Sequence, residues 1–310
     1  MTTKIAIVGS IIADLAVRTP RVPDVGENIL AQSFTVGPGG KGANAAVAVA
    51  RSGAEAVLVG CVGDDDFGRM ELTRLRQEGV DVAGVTVDPQ AATGVAIILV
   101  DAQGENTILV VNGANDHVDA AAVSRALEPH RPTLDGILIN FEIPEPAVAA
   151  AVRFGQDLRI PTVVDAGPPR AYAPPTWADC TILTPNTLET ATLVGYPIHD
   201  EPAARQAARQ LLAAGPQAVV LKLGARGALL LTRDVEVHVP AFPVEVVDTT
   251  GAGDAFSGTL AVATAEGLPL EEAVRRANAA GALTVTRFGT LPAMPTRQEV
   301  DLFLADKIVR

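Results

Sequence analysis

The chain has 310 residues, 48% of them hydrophobic, and a formal net charge of −12. That balance supplies enough apolar bulk for a sizeable core; with no run of Lys or Arg anywhere, it speaks against nucleic acid as a partner. The two cysteines, Cys61 and Cys180, each lie in an apolar strand-like run; they exclude a disulfide framework or structural zinc site and are expected as buried thiols of a reducing compartment.

In chain order, the opening run KIAIVGSIIADLAV could pass for a signal peptide, but Asp14 interrupts it and Arg18 follows. No uncharged stretch of 18 residues occurs, so a buried strand IAIVG (5–9) and a soluble, cytoplasmic protein without a membrane partner are expected. Residues 11–36 then hold two extended stretches around the Pro-rich turn TPRVPDVGEN. A helix is expected at 42–53, a strand AVLVG at 56–60, a helix at 66–78, and a hairpin TGVAIILV–DAQGEN–TILVVNG across 93–112. Beyond it, helix 119–127, strand GILIN (136–140), helix 145–157, strand TVVDA (162–166), strand TILT (181–184) and helices 187–194 and 202–214 follow. Strand AVVLKL (218–223), a Gly-containing turn into GALLL, and helices 252–266, 270–284 and 297–304 complete the pattern. Near-continuous apolar strands separated by helices imply a doubly wound, mostly parallel α/β sheet flanked by helices, here a single domain over 1–310. The excursions 11–36 and 93–112 are expected to pair into a small β-sheet lid over the carboxyl ends of the main strands.

Four segments could carry chemistry. GPGGKGAN (37–44) is glycine-dense and opens an Ala-rich helix, so it either presents free amides to a ligand or is a helix entry needing positive φ. It is not a Walker A loop, because no Lys-Ser/Thr pair exists, and no GxGxxG follows the first strand. In TPNTLE (184–189), Asn186 and Glu189 have the spacing of a capping box and equally that of a hydrated Mg²⁺ site at a strand's carboxyl end. LKLGARG (221–227) is either a plain β-turn-β or a nucleotide-phosphate border carrying Lys222 and Arg226. In VDTTGAGDAF (247–256), Gly251-Ala252-Gly253 makes poor helix but a good anion concavity at a helix N-terminus. Asp254 in that first turn could merely stabilise the helix dipole, or deprotonate a nucleophile beside the anion hole. The dipole is expected to depress its pKa, which phosphoryl transfer tolerates because its loose transition state needs little early deprotonation.

Over nearly its whole length the chain resembles the ribokinase (PfkB-type) family of sugar and nucleoside kinases. The resemblance runs from GSIIADL through GPGGKGANAAVAVARSG, GCVGDDDFG, ATGVA, NGAND, FEIP, TPNTLE, LGARG and DTTGAGDAF to TRFGTLPAMP. The Gly-Gly loop and DTTGAGD are its specific signatures. The resemblance implies an ATP-dependent sugar kinase in which Asp254 is the general base and Gly251, Ala252 and Gly253 form the anion hole for the γ-phosphoryl. Asn186 and Glu189 would hold Mg-ATP, the magnesium through water. Lys222, Leu223, Gly224, Ala225, Arg226 and Gly227, with Gly253, would line the nucleotide, and Asn278 would lie near adenine. Asp248 and the Thr250 carbonyl would bind a monovalent cation, K⁺, completed by carbonyls of Thr284, Arg287 and Gly289. Ile12, Ala13, Asp14, Gly40, Lys41, Gly42, Ala43, Asn44 and Glu142 would surround the sugar.

Three positions depart from ribokinases: Ile12 stands where they carry Asn, Asp165-Ala166-Gly167-Pro168 replaces Asn-Pro-Ala-Pro, and Ala293 replaces a frequent Ser. Ribose is the first acceptor expected, with fructose, 2-keto-3-deoxygluconate or a nucleoside as alternatives; Phe34 is the only aromatic in the lid segments, which disfavours a stacked nucleoside. A Rossmann-type oxidoreductase lacks its GxGxxG here, and a non-catalytic sugar or nucleotide sensor would have no use for Asp254. The apolar edge at 93–112 suits pairing with a second copy, so a homodimer through the lid is expected.

Overall fold

Short, continuously apolar runs become the inner strands of one sheet when both of their faces are covered. In the computed structural model, which describes residues 2–103 and 105–308, the chain begins with β1 (Lys4–Val8), β2 (Ile12–Arg18), β3 (Ser33–Gly39), helix α1 (Lys41–Arg51), β4 (Glu55–Gly63), α2 (Asp66–Gln77) and β5 (Asp81–Asp88). Next come β6 (Gly94–Val100), β7 (Asn106–Val111), α3 (Ala120–Leu127), β8 (Gly136–Asn140), α4 (Glu145–Leu158), β9 (Thr162–Asp165), β10 (Ile182–Leu183) and α5 (Thr187–Val194). Then follow α6 (Glu201–Ala213), β11 (Ala218–Lys222), β12 (Ala228–Thr232), β13 (Glu236–Val239), α7 (Ala252–Ala265), α8 (Leu270–Thr284) and α9 (Arg297–Ile308).

Nine strands form the main sheet in the order β13-β12-β11-β10-β9-β8-β1-β4-β5. Neighbours are parallel except where β12 pairs antiparallel with β11 and β13. Alternation along β1 explains the doubly wound arrangement. Ile5 and Ile7 join a core with Val47 and Val49 of α1 and Phe256 and Leu260 of α7. Ala6 and Val8 join the opposite core with Val123 and Leu127 of α3 and Val148 and Val152 of α4. Small residues then set a distance that matters for the site. A side-chain carbon on Gly258 of α7 would come within 2.6 Å of Ala48 Cβ, so α1 and α7 pack closely enough for side chains at their first turns to meet.

The two excursions pair as expected into a separate four-stranded sheet, β3-β2-β6-β7, with β2 parallel to β6 and the other pairs antiparallel. Its root is fixed by Asn115, whose amide oxygen accepts from Ile11 N and whose Nδ2 donates to the Ile11 carbonyl, both at 2.8 Å. Strands β5 and β13 are absent from the sequence-based expectation. Both are sheet edges with mixed polar and exposed positions, so neither carries the continuous apolar signal of an inner strand. Cys61 and Cys180 are buried and unpaired as expected. Among the described residues, no helix is long and apolar enough to cross a membrane.

Candidate active site

The carboxyl ends of β1, β8, β9 and β11 meet the first turns of α1 and α7. The α1 entry is built on close backbone contact. Gly40 has φ 87°, and a side chain there would strike Ile12 N at 2.7 Å and the Ser10 carbonyl at 2.9 Å. The amides of that entry are already taken: Lys41 N donates to Glu142 Oε2 at 3.0 Å and Ala43 N to the Ser10 carbonyl at 2.9 Å. Ser10 Oγ donates to the same Glu142 oxygen at 2.5 Å. The Gly-Gly loop is therefore a helix entry at positive φ, and it is the side chains of Lys41 and Asn44, not free amides, that reach Asp254.

The α7 entry differs. Gly251 is left-handed at φ 77° and no side chain caps the helix; Ala252 N donates to the Thr249 carbonyl at 3.4 Å, and the next two amides, of Gly253 and Asp254, are left at the helix N-terminus as an anion cradle. Asp254 is buried at 6% exposure. Its Oδ2 accepts from Asn44 Nδ2 at 2.9 Å and its Oδ1 lies 3.4 Å from Lys41 Nζ. Asn44 Oδ1, itself buried, has no protein donor. Burial, aided by the Asp165 charge, pushes the Asp254 carboxyl up against the opposing pull of Lys41 and Asn44. The shift is opposite to the depression expected at a helix N-terminus, because burial and the Asp165 charge outweigh Lys41, Asn44 and Lys222. Lys41 is pushed up by Asp254 first, against its own burial, so it stays an ammonium.

Asp14 faces the same space from β2, lying over Gly39, with no room for a side chain there. Burial first, then Glu142 and Asp254, raise its carboxyl to about 7. Ile12 and Ala13 are buried beside it, Ile12 on the same strand face as Asp14. Between β7 and the end of β8 a cavity of ≈ 430 Å³ opens, lined by Val110, Asn112, Asp116, Glu142, Pro168 and Arg170, which is ample for a small polar ligand.

On the far side of Asp254, Asn186 and Glu189 make the full capping box: Glu189 accepts from Asn186 N at 2.7 Å and Asn186 Nδ2 at 2.8 Å. Glu189 is nonetheless buried toward the cleft, its carboxyl pushed up by burial against the pull of Lys222. Residues 224–226 form a short 3₁₀ turn closed by Leu223 N donating to the Gly227 carbonyl at 2.7 Å; Gly224, Ala225 and Arg226 are exposed and Lys222 points inward. Asn278 spends its Nδ2 on the carbonyls of Val239 and Pro240 at 3.1 and 3.2 Å, so its amide braces the loop after β13. Asp248 draws two loops together, accepting from Thr250 N, Thr250 Oγ1 and Gly289 N at 2.9, 2.7 and 3.0 Å. Those donors outweigh its partial burial and hold it below the usual carboxylate range. Thr284 and Arg287 lie on the same stretch, the Arg287 amide donating to the Thr284 carbonyl at 3.2 Å.

Two members of the cluster, Asp165 and Ser257, were given no role by the sequence, Asp165 standing out only as a departure from the ribokinase pattern. Asp165 Oδ2 lies 3.0 Å from Lys222 Nζ and accepts from Ser257 Oγ at 2.5 Å. Burial would raise Asp165, but Lys222, Lys41 and Ser257 together bring it down.

Residues 2–297 match the pfkB family carbohydrate kinase profile. A ribokinase of Bacillus subtilis (strain 168) is 40% identical over 301 residues, covering 97% of this chain and 99% of that one. A deoxyribokinase of Salmonella typhi is 35% identical over 302 residues, covering 97% and 98% respectively. Among solved structures, Arabidopsis thaliana ribokinase complexed with ribose and ATP superposes with a TM-score of 0.89 at 30% identity, covering 98% of this chain and 99% of that one.

Proposed function

The chain belongs to the pfkB family of carbohydrate kinases, and from that premise we propose that it transfers the γ-phosphoryl of ATP to a hydroxyl of D-ribose, giving D-ribose 5-phosphate. The observation that carries the chemistry is the buried Asp254 at an uncapped helix N-terminus, beside the unpartnered acceptor Asn44 Oδ1. An acceptor hydroxyl donating to Asp254 satisfies the base, and a neighbouring hydroxyl can donate to Asn44 Oδ1, which has no other partner. Asp14 and Glu142 offer further acceptors for the sugar, and Lys41 a donor. As transfer proceeds, the hydroxyl proton passes to Asp254, whose raised affinity for a proton suits that role. The amides of Gly251, Ala252 and Gly253 meet the charge on the migrating phosphoryl.

The donor set also fits cations. Carboxylates outnumber ammonium groups around the cleft, so a triphosphate needs a counter-ion there. Asn186 and Glu189 would hold Mg²⁺ through water. When bound, the metal offsets phosphate charge. Among the described residues Asp248 is in no ion pair with Lys or Arg, which fits a monovalent cation, K⁺, shared with carbonyls of Thr250, Thr284, Arg287 and Gly289. Ala293 contributes no side-chain oxygen there.

We assign the small sheet the role of a lid over the sugar, and its outer strand β7 the role of a dimer edge. All six residues of β7 are exposed, among them Leu109 at 61% and Val111 at 56%; an unpaired apolar edge of that kind suits a second copy of the chain.

A coupled ADP-release assay over pentoses, hexoses, sugar acids and nucleosides tests the assignment. Ribose-dependent turnover is expected; absence of turnover with every pentose would overturn it. One observation favours a second acceptor, 2-deoxyribose: the apolar Ile12 on the face of β2 that carries Asp14, together with a deoxyribokinase among the relatives. On this reading Ile12→Asn shifts preference toward ribose by roughly fivefold, the worth of one hydrogen bond of about 1 kcal/mol. An unchanged ribose-to-deoxyribose ratio removes Ile12 from the choice.

A further inference from the structure

Lys222 and Asp165 form a buried ion pair with no part in the proton transfer to Asp254. Lys222 ends β11 and Asp165 ends β9. Besides its 3.0 Å contact with Asp165, Lys222 Nζ lies 3.5 Å from Ser257 Oγ, on the helix whose first turn carries Asp254. The ammonium is thus clamped by a carboxylate and a hydroxyl that are themselves hydrogen-bonded at 2.5 Å. A side-chain carbon on Gly253 would lie 3.9 Å from Lys222 Nζ. The charge therefore stands at the mouth of the α7 anion cradle, opposite Lys41.

Stability is a poor reason for such a pair, since apolar replacements of buried ion pairs are often neutral or stabilising. Composition points the same way. The chain uses Lys only four times, at 4, 41, 222 and 307, and two of those converge on this cleft. A compact ammonium fits a single phosphoryl oxygen where a guanidinium fork demands a wider site. Arg226, the other cation of the turn, is exposed, and its carbonyl is engaged by His238.

We propose that Lys222 contacts the terminal phosphoryl of ATP and remains on it through transfer, while Asp165 and Ser257 are positioning residues that hold its ammonium in place. The proposal rests on the ATP-dependent reading above. In the step, the bond between the terminal phosphorus and the bridging oxygen breaks and its electron pair leaves with ADP. The bond to the acceptor oxygen forms, the acceptor proton goes to Asp254, and Lys222 stays protonated, offsetting charge on the phosphoryl oxygens.

Equilibrium titration with Mg-ADP and with the Mg-bound, non-hydrolysable imido analogue of ATP tests this without turnover. Lys222→Met should weaken the triphosphate analogue by about tenfold or more while changing ADP affinity less than about threefold. Asp165→Asn should show the same pattern to a smaller extent. The double variant Lys222→Met/Asp165→Asn leaves no unpaired buried charge, so it guards against misfolding of the single variant and should reproduce its selectivity. In the coupled assay Lys222→Met should lower kcat by about a hundredfold. Equal losses for both nucleotides, or none for either, would overturn the proposal. A wild type that prefers the triphosphate but phosphorylates no sugar refutes the acceptor assignment alone, and the titration still decides Lys222.

Discussion

Replacing Asp254 by Asn separates a catalytic base from an ordinary helix-terminus residue, because the two roles predict opposite signs of stability change. A carboxylate that only complements the α7 dipole contributes ~0.3–1 kcal/mol, and its loss would lower the melting temperature. In this cleft burial, seconded by Asp165, pushes Asp254 above its ordinary 3.8 in spite of Lys41 and Asn44. A carboxyl raised on folding contributes stability that is complete below its unfolded pKa and is lost as pH rises through the folded value. Asp254 therefore contributes less stability to the ligand-free protein at pH 8 than in acid, even with Lys41 3.4 Å away. Asn keeps the acceptor for Asn44 Nδ2 and removes the charge. We expect Asp254→Asn to melt no lower than wild type at about pH 8, with any gain vanishing below about pH 3, where the wild-type carboxyl is protonated in both states. Activity should move the other way, kcat falling by ~10²–10⁴, the usual worth of a positioned base and about 3–5 kcal/mol of barrier. Thermal melts across pH and coupled ADP release at saturating ATP and sugar read both quantities. Turnover within about threefold of wild type, or a lower melting point at pH 8, refutes the reasoning.

Asp14→Asn tests the same electrostatics on the sugar side. With Asp14 raised to about 7, its stability contribution is complete below pH 3.8 and lost as pH rises through about 7, so the variant should gain at pH 8, by at most about 4 kcal/mol at 1.36 kcal/mol per unit, and raise the KM for sugar; a pH-independent difference in melting point excludes this. Gly251→Ala forces a side chain into φ 77° and within 2.7 Å of Thr290 Cγ2, which should cost roughly 1–2 kcal/mol in melts and lower kcat by displacing the α7 amides; wild-type stability would show the loop relaxes freely. Activity should rise when K⁺ replaces a large organic cation, and Asp248→Asn should remove that response; indifference of the wild type takes Asp248 out of a cation site. Light scattering at micromolar concentration should give a dimer that Leu109→Lys dissociates, and a wild-type monomer would dismiss β7 as an interface.

Helix starts were legible to within one residue because their signals are local. Asp65, Asp119, Asn186 and Asp200 each cap the helix that follows by accepting from its first-turn amides, and a capping residue is visible in a single sequence. The small second sheet was legible as two departures from the βαβ rhythm. Strands β5 and β13 escaped because neither is a continuous apolar run, and the alternation Val235-Glu236-Val237-His238-Val239 that marks β13 is short. At the site, the cradle around Gly251–Asp254 could be read since all its parts are contiguous. Asp165 could not, because it meets Lys222 57 positions away and Ser257 92 positions away; only the order of β9 and β11 in the sheet, with α7 packed across them, brings the three together. The direction of the Asp254 shift was missed for a related reason. The dipole that would depress it is a property of one helix, whereas the burial that raises it comes from α1, β9 and the rest of the cleft.

The balance of charge in that cleft joins these observations. Asp14, Glu142, Asp165, Glu189 and Asp254 share it with two ammonium groups, Lys41 and Lys222, and three of those carboxyls are pushed up on folding. Each such shift is a destabilisation that the empty site carries and a suitable ligand relieves. Sugar hydroxyls donating to Asp14 and Asp254 relieve it on one side; cations accompanying the triphosphate relieve it on the other, next to Glu189. A neutral apolar molecule relieves neither, and a bare polyphosphate adds to the excess. On the proposed assignment, the carboxylates that cost the fold stability also select for a polyhydroxylated acceptor together with a cation-neutralised phosphoryl donor.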